Sequence, residues 1–189
     1  MSKVILNLTA TLDGYISGPN GEIDWIVEDD SVDFGDILSE ILSDVDAVFY
    51  GRVSYELWGN HHPQEQASTK LKEAYGFLHS KAKYVFSSTK ENDSSNAIFI
   101  NSEIEKRVSE IKKNLKGNIW LYGGGKLITT FINLGLVDIY KLTIQPVILG
   151  DGIPLFNNIA QQVDLELVET KGSESGTVLL TYKKKEKNI

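Results

Sequence analysis

Three observations predict an α/β fold in which helices flank a mostly parallel central sheet that carries a C-terminal antiparallel hairpin. Strand-like and helix-like apolar periodicities alternate through the earlier part of the chain. Strands dominate the later part, and a short polar loop, Lys171–Gly176, joins the last two of them. The 189 residues are 41% hydrophobic and 24% charged, enough for one domain over residues 1–189 with one sizeable core.

The first strand is predicted over Lys3–Thr11, where Val4, Leu6 and Leu8 alternate with Ile5 and Asn7 in a largely buried pattern. A glycine-rich loop runs from Gly14 to Gly21 and on to Trp25. Asp33–Val45 is expected to be helical, with Phe34, Ile37, Leu38, Ile41 and Leu42 spaced three and four apart. A buried strand, Asp46–Tyr50, closes at Gly51, and Val53–Trp58 begins another helix. The loop Gly59-Asn60-His61-His62-Pro63 follows, then a helix over Ala67–His79 and a strand over Lys83–Ser87. Lys90–Asn96 is turn chemistry and Ala97–Ile100 a short strand. Ile104, Val108, Ile111 and Leu115 mark one face of the next helix. Asn118–Tyr122 is a buried strand, Gly123-Gly124-Gly125 a tight turn, and Leu127–Leu134 a helix ended by Gly135. The remaining strands are Ile139–Ile144, Leu165–Thr170 and Thr177–Tyr182. Trp58 and Trp120 are expected in the core.

Composition excludes several classes of function. A net charge of −7 repels nucleic acid, and the basic stretch Lys183–Lys187 reads as a solvated terminus. No apolar run is long enough to span a bilayer, and the start of the chain shows no secretory signal, so a cytoplasmic protein is expected. With no cysteine there are no disulfides, thiolate metal sites or cysteine nucleophiles. The three histidines, His61, His62 and His79, have no carboxylate at metal-ligand spacing, so no metal site is expected.

The turn Gly123-Gly124-Gly125-Lys126-Leu127 stands between a strand and a helix. Free N–H groups and the helix dipole favour an anion there, and glycines let a pyrophosphate approach the backbone. A turn that merely needs positive φ is the plainer reading. The dinucleotide fingerprint of the Rossmann fold fails, because Ile128 takes the third glycine position. The P-loop pattern fails too, because Lys126 is followed by Leu127 and position 120 is tryptophan.

Four ordered segments resemble the dihydrofolate-reductase-like superfamily, in particular its branch containing the reductase domain of riboflavin biosynthesis. The first is Thr11-Leu12-Asp13-Gly14-Tyr15-Ile16, continuing through Gly18-Pro19-Asn20-Gly21 to Trp25. The second is Phe49-Tyr50-Gly51-Arg52-Val53-Ser54-Tyr55-Glu56. The third is Val85-Phe86-Ser87-Ser88-Thr89. The fourth is the glycine turn, followed by Tyr140-Lys141-Leu142-Thr143 and Gly150-Asp151-Gly152.

The resemblance implies a reductase fold that binds NADPH. Its cofactor contacts would come from Ile16, Gly51, Arg52, Val53, Ser54, Ser87, Ser88, Thr89, Gly123, Gly124, Gly125, Lys126 and Leu127. Arg52 and the hydroxyls of Ser87, Ser88 and Thr89 are suitable donors to a 2′-phosphate. A surface ion pair for Arg52 and strand-capping serines are the plainer alternatives.

On the substrate side, Trp25, Asp30 and Phe34 reproduce the family spacing of loop tryptophan, carboxylate and phenylalanine, and Thr143 falls where a threonine couples to that carboxylate. Asp30 has two readings, a proton donor or an N-cap of the helix with Asp33 in its first turn. Asp13 is a second candidate acid, although Asp-Gly is also an ordinary turn dipeptide. Tyr15 stands where riboflavin-type reductases carry a lysine, and Lys81 where folate reductases carry an arginine. Neither substrate assignment therefore carries over.

The expected activity is hydride transfer from NADPH to a small heteroaromatic or imine-like ring of pterin or pyrimidine type. The competing readings are a non-catalytic NADPH sensor on the same fold and a purely structural domain. By analogy with the riboflavin-type relatives, the protein is expected to pair as a homodimer through the late strands carrying Leu165, Leu167, Val178 and Leu180.

Overall fold

The computed structural model describes residues 1–27, 33–92 and 96–185. The chain begins with β1 (Val4–Thr11), β2 (Tyr15–Ser17), α1 (Phe34–Leu42), β3 (Val45–Gly51) and the single-turn helix α2 (Arg52–Ser54), which widens into a π-helical segment, Tyr55–Gly59. It continues through α3 (Thr69–Ser80), β4 (Ala82–Phe86), β5 (Ile98–Ile100), α4 (Ile104–Asn114), β6 (Asn118–Gly123) and α5 (Gly125–Asn133). The last elements are β7 (Ile139–Gln145), β8 (Ile153–Pro154), β9 (Leu165–Gly172) and β10 (Val178–Lys184). The predicted α/β class holds: parallel strands carry the sheet, and an antiparallel pair forms at the C-terminal end.

Two compact units divide these elements, Met1–Lys3 with Asp29–Gly124 and Val4–Glu28 with Gly125–Ile189. In the first, β5, β4, β3 and β6 lie side by side and all run parallel. β3 is covered on both faces, and Ala47, Val48, Phe49 and Tyr50 are completely buried, as an interior parallel strand requires. Leu38 and Leu42 of α1, Ala74 and Leu78 of α3, Val85 and Trp120 form one cluster with Tyr50 and Tyr55. α1 comes very close to α3, and a Cβ at Gly35 would stand 2.5 Å from the Leu71 nitrogen. Only glycine permits that approach.

In the second unit the order is β1, β7, β10, β9. β1 and β7 are parallel, with Thr9 opposite Thr143, and β10 runs antiparallel to both β7 and β9. β9 is the edge strand and is largely exposed. α5 buries Leu127, Ile128, Phe131 and Ile132.

Three local expectations change. The helix expected over Asp33–Val45 is shorter, because Asp33 itself is the N-cap and accepts from the Gly35 N–H at 2.7 Å. Its apolar stripe is also narrower, since Leu38 and Leu42 are buried while Phe34 and Ile37 are exposed. The helix expected over Val53–Trp58 is α-helical for one turn and then π-helical, which keeps the Tyr55 ring edge-on to Tyr50 and Phe99. The loop from Gly14 contains β2, which pairs antiparallel with β8, Tyr15 opposite Pro154. Trp120 joins the core as expected, but Trp58 is only half-buried.

Candidate active site

In the first unit the C-terminal ends of three adjacent strands converge. Gly51 of β3 is level with Phe86 of β4, and Tyr50 is level with Gly123 of β6. The chain leaves all three strands at the same edge, carrying Arg52-Val53-Ser54, Ser87-Ser88-Thr89 and Gly124 with it. In open parallel sheets, ligands bind at such carboxyl ends.

Gly124 has φ +72°, and a Cβ there would come within 2.9 Å of the Ser54 hydroxyl oxygen. The glycine is therefore required twice, for its backbone conformation and for its close approach to Ser54, the last residue of α2. Gly123 also has positive φ, +107°. Two segments about seventy residues apart in sequence thus meet, the bare Gly124 backbone against the Ser54 hydroxyl.

Charge is concentrated at this edge. Arg52 Nη1 lies 2.6 Å from one carboxylate oxygen of Glu56, and Lys90 Nζ lies 3.5 Å from the other. All three side chains remain partly exposed. Lys90 also stands over the Phe99 ring. Ser87 is buried, and its hydroxyl oxygen accepts from the N–H groups of Thr89 and Lys90, so it shapes the turn after β4. Ser88 and Thr89 are exposed. Val53 is exposed as well, with Gly51 and Ser54 half-buried. These side chains and the Gly124 cradle fit the phosphates and 2′-phosphate of a dinucleotide.

Sequence reading passed over Lys90, which follows the strand-end hydroxyls in a turn segment. Glu56 was legible four residues after Arg52, as an ion-pair spacing.

In the second unit the chain after β6 starts α5 at Gly125, so the helix opens two residues earlier than expected. Lys126 is exposed and Leu127 buried. The Asp13 carboxylate accepts from the Thr11 hydroxyl at 2.6 Å and from the N–H groups of Leu149 and Gly150. The Thr11 hydroxyl, and then the Gly150 amide, lower its pKa to about 2. Asp13 is therefore held as an ionised acceptor that ties the β1 turn to the 149–150 turn. Tyr15 and Ile16 lie on β2, and the Tyr15 N–H donates to Thr11 Oγ1. Trp25 is half-buried and its indole N–H donates to the Glu22 carbonyl. Nearby in sequence, the Val27 N–H donates to Gln145 Oε1. Thr143 is half-buried on β7.

The other substrate-side residues fall differently. Phe34 opens α1 and is 54% exposed, available to a ligand. Asp30 lies outside the described residues. Its alternative reading as the cap of α1 gives way to Asp33, which caps the helix.

Among the described residues, no helix is long and apolar enough to cross a membrane. The chain is 47% identical over 180 residues to the protein YyaP of Bacillus subtilis, described as uncharacterized, covering 95% of this chain and 94% of that protein. Its fold is similar to that of a putative riboflavin biosynthesis protein from Shewanella sp. PV-4 (TM-score 0.78, 20% identity, 98% of this chain and 100% of that one). It also resembles dihydrofolate reductase from Enterococcus faecalis, solved in complex with NADP(H) and RAB-propyl (TM-score 0.66, 17% identity, 97% of each chain). The RibD C-terminal domain model matches residues 2–179, and the chain belongs to that family.

Proposed function

We propose that the protein is an NADPH-dependent reductase that transfers a hydride to a small pterin- or pyrimidine-type ring. The observation that carries this reading is the meeting of Arg52, Ser54, Ser88, Thr89 and Gly124 at three adjacent parallel strand ends. Family membership and the fold shared with reductases support it.

The adenosine 2′-phosphate would lie with Arg52, Lys90 and the Ser88 and Thr89 hydroxyls, where charge-assisted hydrogen bonds favour NADPH over NADH. The pyrophosphate would approach Gly123 and Gly124, and then Gly125, Lys126 and Leu127, whose backbone opens α5. When bound, the nicotinamide supplies the hydride, and the protein orients the ring and delivers a proton. Trp25, Phe34, Tyr15 and Thr143 are assigned to the substrate.

Asp30 is the assigned proton donor. Asp13, held ionised by three donors, serves the architecture of its turn. The exposed edge of β9 is assigned to pairing in a homodimer.

The test has two parts. NADPH should raise the melting temperature by mass action, and a panel of pterins and pyrimidines should be screened for NADPH consumption at 340 nm. Loss of turnover in Asp30→Asn with NADPH binding kept supports the assigned acid, and full activity removes it. A melting shift with no turnover on any compound favours the non-catalytic NADPH-binding reading. No melting shift at all returns the glycine turn to a purely structural role.

A further inference from the structure

All three histidines of the chain gather in one corner of the first unit. His61 and His62 lie in the loop after the π-helical segment, and His79 stands in the last turn of α3. The His62 and His79 rings are 4.6 Å apart between centroids, and the His61 ring lies 5.3 Å from Trp58 and 5.6 Å from Tyr75. Lys83, half-buried on β4, reaches into the same corner. Among the described residues no carboxylate acts on the charge of either His79 or Lys83.

One protonation state satisfies every hydrogen bond here. Lys83 Nζ lies 2.5 Å from the Gly59 carbonyl oxygen, 3.1 Å from Asn60 Oδ1 and 3.2 Å from His79 Nδ1. Those are three acceptors for the three protons of an ammonium. His79 Nε2 lies 2.9 Å from the His61 carbonyl oxygen, which can only accept. His79 is therefore neutral, with its proton on Nε2. The ammonium holds the end of the π-helical segment. Gly59 is the last residue of that segment and is buried, and a Cβ there would collide with the Tyr55 ring. A helix leaves its last carbonyls without partners inside it. Lys83 supplies the donor to Gly59, and Asn60 and His61 carry the tether into the loop.

A second proton on His79 breaks this arrangement. Nδ1 then becomes a donor facing the ammonium at 3.2 Å, and two positive charges meet with no carboxylate to offset them. The groups that face His79 are Lys83 from β4 and His62 and His61 from the loop, with the Tyr75 ring one turn back on α3. Burial is the main cause that holds its pKa below the ordinary 6.5; the bond to the His61 carbonyl opposes that shift, and the Lys83 charge adds to it. A depressed pKa means that the open loop takes the proton first. The hold is complete above pH 6.5 and is lost as pH falls through the lower value.

We propose that His79 and Lys83 form a pH-operated latch. While His79 is neutral, Lys83 clamps the end of the π-helical segment, and a proton on His79 releases the segment and the loop behind it. The same segment carries Glu56, the carboxylate shared by Arg52 and Lys90, so the latch fixes the far end of the element that bears their partner. The proposal goes beyond the reductase reading and holds whether or not the protein binds a nucleotide.

The test follows the full chain by NMR from about pH 8 to about pH 5. It reads the His79 titration and the hydrogen exchange of the amides of residues 57–61, corrected for the intrinsic pH dependence of exchange. Below the pH at which His79 titrates, protection of these amides should fall about tenfold per pH unit, the slope of one proton, while the amides of β3 stay unchanged. His79→Gln, which cannot take the proton, should give a flat profile. Lys83→Met keeps the aliphatic stem and removes the ammonium. It should bring protection at the alkaline end down to the acid value and raise the His79 pKa toward 6.5. Wild-type protection that does not change across the range overturns the latch. So does a pH response that survives in His79→Gln, or a His79 pKa that Lys83→Met leaves where it was. A general loss of fold in either variant shows at β3, and the wild-type profile then decides alone.

Discussion

Arg52 and Asp13 each sit beside a glycine at the end of a strand, and both belong to segments whose sequence suggested a site. Their surroundings differ in kind. Arg52 is held by one side-chain carboxylate, Glu56, in a partly exposed ion pair. Asp13 is held by the hydroxyl of buried Thr11 and by two backbone amides, and the amides cannot swing away. A side-chain partner at an open edge can be exchanged for a ligand, whereas backbone partners commit the charge to the fold. Similar motifs thus divide into an exchangeable cation and a fixed anion.

The largest expected effect comes from Arg52→Gln. A charge-assisted hydrogen bond is worth about 1.5–3 kcal/mol, so NADPH affinity should fall about tenfold to a hundredfold. NADH affinity should hardly change, because NADH lacks the 2′-phosphate. Titration with both nucleotides checks this, and an equal loss for the two would break the comparison. Asp13→Ala should do the reverse, lowering the melting temperature by several degrees while NADPH affinity holds. The Leu149 and Gly150 amides lose their acceptor, and the β1 turn loses its tie to them.

Acid should act on the same corner. The Asp13 pKa is about 2 in the folded protein against roughly 3.9 for an unperturbed aspartate. A depressed pKa means that the unfolded chain binds the proton first. The contribution of Asp13 is therefore full above pH 3.9 and disappears as pH falls toward 2. Thermal melts of wild type and Asp13→Asn should differ at neutral pH and converge across that window.

The sequence made the regular parts of both regions readable and left their special parts hidden. β3 and β6 were legible because completely buried parallel strands appear as unbroken apolar runs, as at Ala47–Tyr50. Gly124 was legible as a glycine that opens a helix, but not its fit against Ser54, which depends on strand order. β2 and β8 escaped because segments of three and two residues carry no periodicity and pair across more than a hundred residues of sequence. Phe34 continued a helical stripe on paper, yet it is exposed at a pocket mouth, since periodicity gives the face of a helix and not what covers each turn. The segment Gly59–Pro63 around His61 was legible as a loop, but not its tether, because Lys83 of β4, which donates to the Gly59 carbonyl and to Asn60 Oδ1, is an isolated lysine more than twenty residues away in sequence.

Glu56 sharpens the comparison with the smallest effect. Its two oxygens face Arg52 and Lys90, the cations assigned to the 2′-phosphate. If that pairing is exchangeable, a phosphate must displace the carboxylate, and Glu56→Gln removes the competitor. NADPH should then bind about two- to fivefold more tightly, with NADH unchanged and the gain shrinking as salt rises. Stability should move by less than about 1 kcal/mol, the usual worth of an exposed pair. Glu56 and Asp13 are both exposed carboxylates with a partner at each oxygen, so their substitution compares the two regions directly. Substitution at Asp13 lowers stability and leaves nucleotide affinity alone, whereas substitution at Glu56 raises nucleotide affinity and leaves stability alone. A loss of NADPH affinity in Glu56→Gln would instead mean that the carboxylate holds Arg52 in its binding orientation. The edge would then be preorganised by the same kind of fixed contact that holds Asp13.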